Sequence, residues 1–287
     1  MTKARGGQSV KVMDGFSLAT RRVEALRGRA GVVHTRLKRA PRMALVAFGD
    51  ELGRALHVAR KLKAAAAADV DAKPLILPPR ATTQDALRTV TKLADDPRVD
   101  GIFLQFPFPS GIDGDALAAA LPVAKDIDVM SPALSAQYLT DESALPPVTV
   151  SAALALVDDY DVRISGRQGI VVADDSPFVR MLRLAFARRG AETMRILSPD
   201  APDLLDRVKR ADLVIVAAGR PSIVRSEQLT KGTVVIDAGY FNPGGQGDVD
   251  VTGGTRHLDA IAPVPGSIGP MTVSCLIERT IVFAERR

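Results

Sequence analysis

Short Val/Ile-rich runs alternate with alanine- and leucine-rich helical stretches along nearly the whole chain, and this alternation constrains the fold more than any other feature. "RMALVAFGD" (42–50) reads as a buried strand, "ELGRALHVARKLKAAAAADV" (51–70) as a proline-free helix, and "DAKPLILPP" as a second strand stopped by Pro78 and Pro79. "TTQDALRTVTKLADD" opens on a threonine start signal for a further helix, and "VDGIFLQFPFP" (99–109) is a third strand closed by a Pro-rich turn. An earlier helix is expected from about Ser17, a short one at "GDALAAALP", and a loop at "AKDIDVMSP" (124–132). After the Pro/Thr junction in "ALPPVTVSAALALVDDY" (144–160) a long helix begins. The rhythm then resumes: strand "QGIVVAD", helix "FVRMLRLAFARRG", strand "AETMRILS", helix "DLLDRVKRA", strand "DLVIVAAG", turn "SEQL", strand "GTVVIDAGY". A glycine-rich loop (Gly244 to Gly247), "GDVDV", "LDAIAPVPGSIGP" and a helix from Met271 complete the chain. Parallel strands need crossover connections, which these helices supply.

The expected fold is therefore α/β with two domains, an N-terminal α/β domain and a second α/β domain, with a cleft between them. We set the boundary near residue 148. Ligands in such folds sit at the carboxyl ends of the strands. At 287 residues, 46% hydrophobic and 25% charged, the chain has ample material for buried cores. The net charge of +5 is spread, with a mild excess in the first forty residues, and reads as a solvated basic surface. Nucleic acid is not favoured, with no Trp and 4% aromatics. Cys275 is the only cysteine, and His34, His57 and His257 are scattered, so neither a disulfide framework nor a metal site is expected. The start "MTKARGGQSVKVMDG" is no secretory signal, and no apolar run approaches membrane-spanning length, so a cytoplasmic enzyme without a membrane partner is expected.

Several residues carry chemistry. His57 and Lys61 are four apart and share a helix face, while Lys63 points elsewhere. A lysine near a strand's carboxyl end can serve as a general base once desolvation lowers its pKa, although most helical lysines are solvent exposed. Gln105 is the single polar side chain at an apolar strand end; it either satisfies backbone groups or orients a heteroaromatic ring. Asp126 and Asp128 fall in a loop, where aspartates form turns or bond a ring amide. In "APVPGSIGPMTV" (262–273), prolines fix the backbone and Gly266 and Gly269 allow close approach or positive φ. Thr272 then falls at a helix start, where N–H groups are free. In "GIVVADDSPFVR" (169–180), a strand ends in Asp174 and Asp175 where a dinucleotide phosphate wants glycine and positive charge.

Together "MDG", "VAFGD", "HVARKLKAA", "GIFLQFPFP", "KDID", "VIVAAGRPSIV", "VVIDAGY", "GDVDV" and "APVPGSIGPMTV" resemble one family, methylenetetrahydrofolate dehydrogenase/methenyltetrahydrofolate cyclohydrolase of the FolD type. The resemblance spans nearly the whole chain in order and spacing; the last segment is close to the family's PVPGGVGPMT signature. It implies a folate-binding catalytic domain over 1–148, to which a C-terminal helix (271–287) returns, and a Rossmann-like dinucleotide-binding domain over 149–270. It also implies a homodimer and a folate in the interdomain cleft. The family's catalytic lysine falls on Lys61, its supporting glutamine on Gln105, its pterin-holding aspartate on Asp128, and its Pro-Gly wall on Pro265, Gly266 and Gly269, followed by Thr272. The implied chemistry is hydride transfer from 5,10-methylenetetrahydrofolate to a nicotinamide, then hydrolysis of the methenyl product to 10-formyltetrahydrofolate with Lys61 managing protons.

The departures fall on functional positions. The family's tyrosine is His57 here, which either carries charge or acts as a base, or merely substitutes in packing. The family's nucleotide loop, G-R-S-x-I-V-G-x-P, becomes Ala173 to Met181, so the arginine that pairs with the NADP 2′-phosphate becomes Asp174. Two unit charges at ~4 Å interact by roughly 4 kcal/mol at an effective ε of 20, so NADP is disfavoured and NAD remains possible, with Asp174, Asp175 and Ser176 at the loop. Ser198 still matches a serine of the second nucleotide segment, and Ala218, Gly219 and Asp237 lie in segments that persist. Val129 replaces the glycine after "KDID", and Ser267 the second glycine of the wall. Dehydrogenase with cyclohydrolase is the leading expectation. A paralogue restricted to cyclohydrolase chemistry or altered in its dinucleotide, and a folate-binding protein without turnover, are the alternatives.

Overall fold

The structure is a computed structural model that describes residues 9–49, 52–240 and 245–287, apart from the side chains of residues 52–57. In chain order the elements are β1 (Lys11–Val12), α1 (Gly15–Leu37), β2 (Arg42–Phe48), α2 (Leu52–Ala67), β3 (Asp71–Leu77), α3 (Thr83–Asp95), β4 (Gly101–Leu104), α4 (Gly114–Ala119), α5 (Pro132–Thr140) and α6 (Val148–Asp159). There follow β5 (Gln168–Val172), α7 (Pro177–Arg188), β6 (Thr193–Leu197), α8 (Leu204–Val208), β7 (Leu213–Val216), β8 (Val224–Arg225), a 3-10 turn at Ser226–Gln228, β9 (Val234–Asp237), β10 (Val249–Asp250), β11 (Ala260–Ala262) and α9 (Ile268–Glu285). The chain forms two compact units, one from residues up to Leu18 with Thr149–Met271, the other from Ala19–Val148 with Thr272–Arg287.

The Ala19–Val148 unit holds a parallel three-stranded sheet in the order β3-β2-β4, with Met43 of β2 opposite Ala72 and Gly101. Central β2 is an apolar run buried on both faces, as parallel sheets require. Ala44, Val46, Phe48, Ile102 and Leu104 pack with Ala86, Val90 and Leu93 of α3. Each such buried Ile, Leu or Phe contributes about 1.5–3 kcal/mol. α3 starts at a capping box in which Thr82 and Asp85 bond each other's backbone N–H groups. It ends over the buried ammonium of Lys125, which donates to the carbonyls of Leu93, Ala94 and Asp96 and so satisfies the helix C-terminus. Buried Asp100 is held bidentately by Arg39 at 2.6 and 2.8 Å and by the Arg42 N–H at 2.8 Å.

The other unit holds a parallel six-stranded sheet in the order β1-β11-β9-β7-β5-β6. β5 lies between β6 and β7, so the strand order reverses at its carboxyl end, the switch point where such sheets bind ligands. The first described strand differs from the expected boundary: Lys11 and Val12 pair with Ala260 and Ile261, so β1 lies in this sheet and the chain enters the other unit only after Leu18. A two-residue edge strand carries too little periodicity to reveal its partner. Within this unit the Gly15 N–H donates to the Gly266 carbonyl at 2.9 Å, and a Cβ at Gly15 would lie 1.9 Å from the Ser267 carbonyl oxygen.

Two further differences have local causes. α5 occupies residues where no element was expected, on a sequence in which Pro132 stands at the first helical position. α9 starts at Ile268 rather than Met271, because Pro270 falls in the first turn, where no N–H is needed. Among the described residues, no helix is long and apolar enough to cross a membrane.

Candidate active site

The periodicity of α2 places Val58, Lys61 and Ala65 on its buried face, and Lys63 is exposed. Lys61 is thus a cation on an apolar stripe, 7% exposed. Its ammonium donates to Gln105 Oε1 at 2.9 Å and lies 5.4 Å from the centroid of the Phe103 ring. Gln105 follows the end of β4, and its Nε2 donates to the Phe106 carbonyl at 2.6 Å, which turns Oε1 toward the lysine. Burial pulls the Lys61 pKa down to about 8, against the opposing charge of Asp128. A lysine in that range is a usable proton acceptor near neutrality. The His57 side chain lies outside the described residues.

Asp128 is electrostatically coupled to this lysine. Burial pushes its carboxyl up to about 7; the Val148 N–H, Arg279 and Lys61 oppose that rise, and Asp126 adds to it. Asp128 Oδ1 accepts from the Val148 N–H at 3.0 Å, at the first residue of α6. The loop around it is tightly held. Buried Asp126 accepts from the N–H groups of Asp128, Met130 and Ser131 at 3.3, 3.1 and 2.7 Å, so it is the turn former of the pair. Val129, which stands where the resembled family has glycine, is buried at φ 58°. A β-branched residue in the left-handed region stores about 1–3 kcal/mol of strain and persists only where its surroundings fix it.

Pro265, Gly266 and Gly269 belong to the other unit, and Thr272 to α9. Pro265 follows a cis bond from Val264, and Gly266 has φ 119°, so positive φ explains that glycine. Gly269 is helical without positive φ, and a Cβ there would meet no protein atom within 4 Å, so the position is open to close approach. Thr272 is corrected. Because α9 starts at Ile268, Thr272 falls in the second turn, past the free N–H groups.

At the carboxyl ends of β5, β6 and β7 the expected cofactor residues divide into free and committed groups. Asp175 is paired bidentately with Arg180 at 2.9 and 2.8 Å, and that pairing holds its pKa low. Asp174 has an exposed side chain 3.8 Å from Arg220, whose guanidinium is already engaged bidentately by Asp200 at 2.5 and 3.0 Å. Ser176 is the N-cap of α7 and accepts from the Val179 N–H at 3.3 Å. Ser198 is exposed just past β6, and its Oγ accepts from the Asp200 N–H at 3.2 Å. The N–H groups of Ala218 and Gly219 both donate to Asp248 Oδ2, at 2.6 and 2.8 Å, so they are spent internally.

Asp237 is corrected to a structural role. It is fully buried, accepts from the N–H groups of Gly239, Asp248 and Val249, and burial raises its carboxyl to about 7. The residues that remain still fit a nicotinamide dinucleotide. The sheet's switch point, the start of α7 and the exposed positive-φ Gly219, where a Cβ would meet no protein atom, are what such a ligand requires.

Sequence reasoning missed two groups that shape these sites. Asp248 was visible only as part of "GDVDV". Arg279 was visible as a charge inside "SCLIERTIVFA", where the residues around it are mostly apolar. It is 5% exposed, and its guanidinium donates to the carbonyls of Ile127, at 3.2 Å, and Pro146.

Comparison with known proteins accounts for the arrangement. Residues 13–128 match the family model for the tetrahydrofolate dehydrogenase/cyclohydrolase catalytic domain, and residues 147–287 that for its NAD(P)-binding domain. The bifunctional protein FolD 1 of Streptomyces avermitilis is 33% identical over 274 residues, covering 96% of this chain and 95% of that protein. The bifunctional protein FolD of Shouchella clausii is 34% identical over 246 residues, covering 86% and 88%. Among solved structures, the methylenetetrahydrofolate dehydrogenase-cyclohydrolase (FolD) of Trypanosoma brucei, complexed with NADP cofactor and inhibitor, superposes with TM-score 0.90 at 28% identity, covering 97% of this chain and 98% of that one. The bifunctional FolD of Campylobacter jejuni does so with TM-score 0.89 at 27% identity, covering 97% and 100%. A buried lysine, its glutamine and its aspartate in one unit, a dinucleotide-type sheet in the other, and matches to both family domains lead to one conclusion: the chain belongs to the tetrahydrofolate dehydrogenase/cyclohydrolase family.

Proposed function

We propose that this chain oxidises 5,10-methylenetetrahydrofolate to the 5,10-methenyl form and hydrolyses the latter to 10-formyltetrahydrofolate, as a cytoplasmic homodimer. The observation that carries this reading is the buried Lys61–Gln105 pair coupled to Asp128. A nicotinamide dinucleotide, when bound, accepts the hydride. In the hydrolysis, water adds to the methenyl carbon, the bond from that carbon to one ring nitrogen breaks, and one proton departs. Lys61, with a pKa of about 8, keeps about a tenth of its amine free at pH 7 to take that proton. Gln105 holds the amine's direction, and the carboxylate of Asp128 binds the pterin.

For the dinucleotide we propose NAD over NADP. Asp174 keeps an exposed carboxylate at the end of β5, where it can accept from a ribose hydroxyl and repels a 2′-phosphate. Arg220 relieves only part of that repulsion, since Asp200 holds its guanidinium. The dimer reading draws on β3, which has β2 on one side and exposed Ile76 and Lys73 along it, an edge able to receive a second copy. The deciding experiment follows methylenetetrahydrofolate oxidation with NAD and with NADP, and methenyl hydrolysis without dinucleotide. Hydrolysis is expected without dinucleotide, and oxidation faster with NAD. Absence of both activities in the wild type would sink the reading, and equal use of NADP would sink the specificity claim.

A further inference from the structure

We propose that Arg279 is a positioning residue for the folate reaction: from α9 it clamps the two backbone segments that Asp128 bridges, and so sets the place and charge of that carboxylate. The proposal rests on the folate reading given above. Its geometry is independent of that reading.

A buried guanidinium is costly unless its donors are used. Two of the Arg279 contacts are the Ile127 and Pro146 carbonyls. Ile127 immediately precedes Asp128, and Pro146 lies two residues before Val148, whose N–H Asp128 accepts at 3.0 Å. One side chain thus ties together the loop that carries Asp128 and the start of α6. The loop needs such a tie, because buried Val129 is held at φ 58°. Asp126 supplies the rest of the restraint by accepting from the N–H groups of residues 128, 130 and 131. Among the described residues no donor reaches Asp128 Oδ2, which leaves that oxygen for a ligand. The groups acting on the carboxylate are Lys61 from α2, Arg279 from α9, Asp126 from its own loop and the Val148 N–H from α6. Arg279 in turn feels Asp128, Asp126, Cys275 and Glu278. Removing the guanidinium takes away a positive charge that favours the ionised Asp128 and a fork that fixes its backbone. Lysine in its place returns the charge without the fork.

The test uses the full chain with Arg279→Met and Arg279→Lys. Carboxyl 13C NMR follows the Asp128 titration, assigned with Asp128→Asn, while methenyl hydrolysis gives KM and kcat and a thermal melt reports folding. Arg279→Met is expected to raise the Asp128 midpoint by about one pH unit and the folate KM about tenfold, with kcat less affected. Arg279→Lys is expected to restore the midpoint and leave KM raised. A folded Arg279→Met with an unchanged midpoint and unchanged KM overturns the proposal. If Arg279→Met does not fold, Arg279→Lys decides, and wild-type KM in that variant overturns it. Should the wild type lack methenyl hydrolysis, the folate reading falls, and the NMR titration still decides whether Arg279 controls Asp128.

Discussion

Lys61 and Asp174 mark the two ends of the proposed chemistry, and their surroundings are opposite. Lys61 is buried on an apolar helix face beside an aromatic ring, with one amide oxygen as its hydrogen-bond partner, and its pKa moves toward neutrality. Asp174 stands in solvent among exposed charges, beside an arginine that another carboxylate already occupies. A charge in low dielectric interacts strongly with its few neighbours, whereas exposed pairs are screened and contribute little. Burial therefore concentrates reactivity at the first site, while exposure leaves the second to tune selectivity.

The comparison yields a graded series. Lys61→Met should reduce methenyl hydrolysis by about 10²–10⁴-fold and leave dinucleotide binding intact, measured by titration. In the wild type, hydrolysis should rise as pH increases through about 8, since the free amine is the active form and its fraction grows there. A flat profile would remove Lys61 from the proton path. Asp128→Asn comes next. Loss of the carboxylate charge removes the one interaction that raises the Lys61 pKa, so the rising limb should move to lower pH, with a higher folate KM. A limb that moves upward would break the coupling between the two residues.

Asp174→Ser should change the NAD-to-NADP preference by about tenfold or less, and added salt should shrink the difference. A change of several decades would show that this exposed site is not screened. Smallest of all, Asp175→Ala removes a solvated pair with Arg180 and should leave both Tm and dinucleotide preference within experimental error.

The sequence revealed elements whose signals are local. β2 is an uninterrupted apolar run, α3 carries its capping box in four consecutive residues, and both occur close to where periodicity set them. Lys61, Gln105 and Asp128 were singled out because their order matched a family, though each alone was ambiguous, and the fold brings Lys61 and Gln105 into contact. What stayed hidden depends on partners distant in sequence. Asp237 looked like a ligand-facing aspartate until its three N–H donors became visible, two of them past a loop. Arg279 contacts carbonyls more than a hundred positions earlier, and nothing in the composition of its helix names them. The positive φ of Val129 was equally invisible, since it is imposed by the clamps on either side.

Each compact unit joins two segments far apart in sequence, and this has a consequence for how the protein is made. Ser267 reaches the Met13 carbonyl across 254 positions in one unit, and Arg29 grips Glu285 across 256 in the other. Neither unit can close while its last segment is still inside the ribosome. Loop closure over such spans must precede the contacts that reward it. The three-stranded sheet, whose strands all lie between Arg42 and Leu104, can pair early, whereas the six-stranded sheet stays open until β11 (Ala260–Ala262) is available.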